Sequence, residues 1–176
     1  MGNSSIVDQW VADFGNETGT KLALDKNGTA LFNYDNRVNI GIETVDESRW
    51  VSFSSQLYDV SALSTYKQHF LMVYLLGKNL PQGNLQGAAF ALDDDSNTVI
   101  LCYNFSSANT TTQVFTSTLT QFTRLAASQS EAIENHVDTI PEYASSNQDL
   151  ADADLTFHEK KMGVDSSGLP TLLDFV

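Results

Sequence analysis

The apolar residues of this chain repeat at helical spacing, then at strand spacing, and the cycle recurs before a third helical stretch gives way to an acidic tail. That switching rules out a pure helical bundle or an all-strand barrel and points to an α+β domain. Ile6, Val7, Trp10, Val11 and Phe14 share one helical face, with Ser4 or Ser5 placed to cap it and Gly15 and Gly19 to end it. In "KLALDKNGTALFNY", Asp25, Asn27 and Gly28 have the composition of a type I turn closed by a glycine bulge. The expected hairpin puts Leu22, Leu24, Ala30, Phe32 and Tyr34 on one face; a two-residue Asn-Gly turn would instead set Leu24 beside Leu31. "RVNIGIETV" alternates as a half-buried strand, and "WVSFSSQL" predicts a shorter fourth one.

From Ser61 the spacing lengthens to three or four. Leu63, Tyr66, Phe70, Val73 and Tyr74 form one stripe, which Leu71, Met72, Leu75 and Leu76 widen until Gly77, Asn79 and Pro81 end the helix. So wide an apolar arc needs cover on two sides, as a central core helix or as one facing a second subunit. "GAAFALDDDSNTVILCYNF" then predicts two strands around a polar tip, and the unbroken run Val99 to Cys102 suits a strand covered on both faces. Asn109 or Thr110 can cap a closing helix carrying Phe115, Leu119, Phe122, Ala126 and Ile133. The predicted architecture is an α-β sandwich in the order α-β-β-β(-β)-α-β-β-α with a mainly antiparallel twisted sheet. It spans residues 1–136. Beyond His136, eight acids face two lysines, so residues 137–176 are expected to form a flexible acidic tail.

A chain of 176 residues can bury a core without a metal or disulfide. The one cysteine, Cys102, has no bridging partner and reads as a buried hydrophobe in a reducing compartment. The net charge of −13 repels phosphate backbones and anionic lipid, which argues against nucleic-acid and membrane partners. No apolar stretch reaches membrane-spanning length and the start lacks a signal-peptide layout, so a cytoplasmic location is expected. Five Asn-X-Ser/Thr triplets, beginning at Asn3, Asn16, Asn27, Asn104 and Asn109, keep a secreted glycoprotein as a minor alternative.

Asp93, Asp94 and Asp95 invite a calcium reading. A helix-loop-helix calcium site counted from Asp93 would need glycine at its sixth position and glutamate at its twelfth, where Thr98 and Asn104 stand. A hairpin tip explains the cluster better. The chain lacks a nucleophile elbow, a phosphate loop, a Cys-X-X-Cys pair and a dinucleotide fingerprint, and His69, His136 and His158 are far apart in sequence. Neither a catalytic residue nor a cofactor or metal is expected, and the chain does not read as an enzyme.

"LALDKNGTALFNYD", "NIGIE", "LMVYLLGKNL", "GAAFALDDDSNTVILCYNF" and "LTQFTRLAASQSEAIEN" together resemble the class I type III secretion chaperones over about Ser4 to Asn135. The resemblance implies a virulence-associated homodimer that keeps the non-globular N-terminal region of one or more effectors extended, soluble and secretion-competent, and it allows contact with the secretion apparatus. It places effector contacts on Ile6, Trp10, Phe14, Leu31, Phe32, Tyr34, Val38, Ile40 and Ile42, and dimer contacts on Tyr66, Phe70, Tyr74, Phe90 and Leu92. About half of the first group must also serve as core. A stand-alone regulatory or scaffold domain of similar layout, such as the YbjN-like proteins, is the alternative from another functional class.

Overall fold

In the computed structural model, residues 3–44, 49–108 and 110–142 are described, with side chains from Ile6 onward. The acidic stretch from 143 to 176 and Asn109 lie outside them. The elements run α1 (Asn3–Thr18), β1 (Thr29–Tyr34), β2 (Val38–Thr44), β3 (Trp50–Asp59), α2 (Thr65–Lys78), a single 3-10 turn (Pro81–Gly83), β4 (Ala89–Asp93), β5 (Thr98–Ser106) and α3 (Thr112–Thr139). This is the α+β architecture expected, with three strands before α2. The sheet order is β1-β2-β3-β5-β4, and every neighbouring pair is antiparallel.

The expected first hairpin forms only its turn. Gly28 has φ of +77°, its N–H donates to Asp25 C=O (3.0 Å), and the Asp25 carboxylate accepts from the Asn27 and Thr29 amides. Yet Lys21–Asp25 is not a strand. Thr20 N–H donates back to Gly15 C=O (2.8 Å), so the chain leaves α1 folded against the helix end. Leu22 is buried there, and only Asp25 reaches the sheet, donating its N–H to Thr29 C=O (2.8 Å). β1 pairs instead with β2, through a turn in which Asp35 and Asn36 both take positive φ and Arg37 N–H donates to Tyr34 C=O. Those are the features of a type I′ hairpin turn.

One face of the sheet carries Ala30, Val38, Ile40, Ile42, Val51, Phe53, Leu101 and Phe105 into the core. α1 covers it with Val7, Trp10, Val11 and Phe14, and α3 with Phe115, Leu119 and Phe122, ring against ring at Trp10–Phe115 (5.5 Å) and Phe14–Phe32 (5.6 Å). Further along α3 the inward residues shrink to Thr123, Ala126 and Ser130, and Ser130 Oγ donates to Leu57 C=O. The helix thus approaches the sheet closely where β3 is broken by a bulge between Gln56 and Tyr58. Thr111, rather than Asn109 or Thr110, caps α3 by accepting from Val114 N–H. α3 also outruns the expected boundary at His136, because Val137 and Ile140 are buried.

The opposite face has a different chemistry. The registers align Leu31, Gly41, Ser54, Cys102 and Ala89 in one row across it. Ile100 and Cys102 therefore point away from the core, so among the described residues β5 is not covered on both faces.

Candidate functional site

At the first sheet edge, the alternation of backbone groups decides what is presented. Thr29 C=O accepts from Asp25, so it points away from β2; two-residue alternation sends the amide groups of Leu31 and Asn33 the same way. Among the described residues those groups have no backbone partner. Leu31 lies on the small-residue face and is 69% exposed, while Phe32 and Tyr34 lie half-buried on the helix-covered face. An extended peptide beside β1 would find hydrogen-bonding groups along its backbone and apolar contacts on both sides.

The other residues predicted to contact a partner there divide sharply. Ile6 is exposed on α1, but Trp10, Phe14, Val38, Ile40 and Ile42 are buried in the subunit's own core. Their helical and alternating spacing makes a core face and a groove face look alike in sequence.

A second apolar surface runs along α2. Leu71 and Leu75 anchor the helix inward, and its remaining arc leaves Phe70, Val73 and Leu76 exposed, continued by Leu80. The Tyr66 ring lies tilted against that of Phe70 (4.7 Å), and Leu92 of β4 is also exposed. Gly77, within this stretch, has open space where a side chain would stand. Of the predicted dimer residues, Tyr66, Phe70 and Leu92 retain accessible surface. Phe90 is buried, and Tyr74 is engaged by α3, its ring stacked on His136 at 3.9 Å with Lys78 Nζ 5.2 Å from its centre. Val73, Leu76 and Leu80 are exposed beside them, though none is among the predicted dimer residues. Their signal was the width of the apolar arc, which aromatic residues alone do not represent.

The polar groups serve local structure. The Asp93 carboxylate accepts from Ser96 Oγ (2.6 Å) and from Asp95 N–H, and these bonds, the serine hydroxyl foremost, hold it below the usual carboxylate range. The same arrangement lowers Asp59 through Ser61. Partial burial pushes the Cys102 thiol up, which keeps it a poor nucleophile. Among the described residues, no group of three or more His, Cys, Asp or Glu side chains gathers in metal-binding geometry, and no helix is long and apolar enough to cross a membrane. One cleft, between Leu85, Tyr103, Phe122 and Leu125, holds about 70 Å³, below the size of ordinary small-ligand sites, and another, of about 390 Å³, is lined by Asn36, Arg37, Ser130, Glu131 and Glu134 and lacks the apolar walls such sites have.

The two apolar surfaces, at the β1 edge and along α2, are thus the most exposed apolar features among the described residues. No curated protein sequence matches this chain. Among solved structures, the ExsC–ExsE complex contains a chain matching with a TM-score of 0.65 and 20% identity, covering 76% of this chain and 97% of that one. The HopA1–SchA chaperone–effector complex matches with a TM-score of 0.57 and 15% identity over 75% and 95%. YbjN from E. coli matches with a TM-score of 0.55 and 17% identity over 77% and 93%. At these identities the likeness establishes the fold. The Tir chaperone protein (CesT) family model matches residues 9–129, more than half of the sequence and the span that carries both α2 and the open β1 edge. The chain belongs to the Tir chaperone protein (CesT) family.

Proposed function

We propose that this protein is a bacterial cytoplasmic type III secretion chaperone that, as a homodimer, holds the N-terminal non-globular region of one or more effectors extended and secretion-competent. The observation carrying this reading is the β1 edge, unpaired at Leu31 and Asn33 among the described residues and flanked by Leu31 on one side and by Phe32 and Tyr34 on the other. An effector segment entering as a strand would satisfy the outward amides of Leu31 and Asn33 and set alternate side chains against the two apolar flanks. Ordering such a segment costs about 2–5 kcal/mol, which its contacts must offset, and a preformed edge adds little further cost on the chaperone side. The chemistry is that of binding, without a reaction. α2 supplies the second surface, and Phe70, Val73, Leu76, Leu80 and Leu92 are the residues assigned to the twin subunit.

The test is co-expression with the N-terminal segments of proteins exported by the same secretion system. One such segment should co-purify in soluble form, and Leu31→Lys should weaken it at least tenfold while leaving the melting temperature unchanged. A stand-alone scaffold of the YbjN kind would bind none of them, and full binding by Leu31→Lys would reject the assigned edge.

A further inference from the structure

The two free edges of the sheet are unequal, and a single side chain makes the difference. On β4, Phe90 N–H donates to Asn79 Oδ1 (2.8 Å), and Asn79 Nδ2 donates to Phe90 C=O (3.1 Å). Both backbone groups of Phe90 therefore point away from β5, and of the residues of β4 only Leu92, two places on, turns its backbone groups the same way without a partner among the described residues. One place earlier along that edge, Ala88 N–H donates to Leu85 C=O (2.9 Å). A carboxamide offers one acceptor and one donor in a plane, as a peptide group does, so Asn79 occupies the place of one residue in a neighbouring strand. Its backbone is fixed independently, because its N–H closes the C-terminal turn of α2 on Leu75 C=O and Leu76 C=O. The β1 edge has no such cover at Leu31 and Asn33 among the described residues.

We infer that Asn79, by occupying Phe90, leaves no two successive outward residues free on β4, interrupts that edge against strand addition and thereby confines an extended partner to β1, one strand per subunit. An uncovered edge is a template for pairing with any other strand, and Ala89, Phe90, Ala91 and Leu92 carry no charge to discourage it. Confinement of the partner rests on the strand-addition reading above; closure of β4 does not, and it is measured without a client.

In the full-length wild-type protein, amide hydrogen exchange should find Phe90 protected and Leu31 and Asn33 open. In Asn79→Ala, Phe90 exchange should rise about tenfold or more, as expected for losing both bonds. That variant should also grow beyond the wild-type mass as concentration rises in light scattering, and adding Ala91→Lys, a charge on the uncovered strand, should restore the wild-type mass. An Asn79→Ala protein with an open Phe90 amide and wild-type mass at every concentration overturns the inference. If Asn79→Ala does not fold, the wild-type exchange decides: Phe90 exchanging as fast as Leu31 overturns it too. Neither readout changes if no effector is ever found, so failure of the client reading remains distinguishable.

Discussion

Phe53 sits where the layers meet. It is fully buried, and its ring lies 5.6–6.2 Å from those of Tyr103, Phe105, Phe115 and Phe122, drawn from β5 and α3. Phe53→Ala should cost about 3–5 kcal/mol in urea unfolding, because rigid neighbours on both layers cannot collapse into the space. Its position inside was visible in the alternation of "WVSFSSQL". That of Ser55, two residues on, was not: it points inward, is buried, and its hydroxyl has no hydrogen-bond partner among the described residues. Asp93 and Ser96 give a pH test. Removing the hydroxyl in Ser96→Ala should raise the Asp93 pKa toward the ordinary carboxylate value, as followed by carboxyl-carbon NMR titration. The sign follows from the lowered folded value: the stability this bond contributes is present above the unfolded pKa and is lost as pH falls through the folded one. An unchanged titration would show that the hydroxyl does not set it.

At the level of elements, periodicity located all three helices and the β4–β5 hairpin, since each buries one face against a neighbour. It failed at Lys21–Asp25, where strand-like alternation comes from a chain folding back under α1 and dropping Leu22 into the core. Sequence does not encode the direction from which a segment enters the sheet. The edge it would have covered is consequently open at Leu31 and Asn33 among the described residues. Gly28 fixes that junction: it has φ of +77°, and a Cβ there would collide with the Thr44 hydroxyl, which itself donates to Gly28 C=O (3.0 Å). Gly28→Ala should therefore destabilise the fold by about 1–3 kcal/mol. Thermal unfolding measures it, and a loss below about 0.5 kcal/mol would mean that the turn relaxes without strain.

For the whole molecule, the question is what covers α2. The same apolar arc was legible in the sequence, but its division into an inward side at Leu71 and Leu75 and an outward side at Val73 and Leu76 depends on where α3 and β4 stop. Leu76 is the sharper probe. It is 66% exposed in the single subunit, so changing it disturbs little of the subunit's packing, and it stands beside Gly77, where a second backbone has room to approach. The proposed twin contact therefore predicts a dimer for the wild type in light scattering and a monomer near 19.3 kDa for Leu76→Glu, with an unchanged circular dichroism spectrum. Charge sharpens the expectation, because two copies at −13 each repel one another and added salt screens that repulsion. The wild-type dimer should consequently tighten as salt rises, the reverse of an interface held by opposite charges. A wild-type monomer at all salt concentrations would remove α2 as a subunit contact and leave its exposed stripe to the effector.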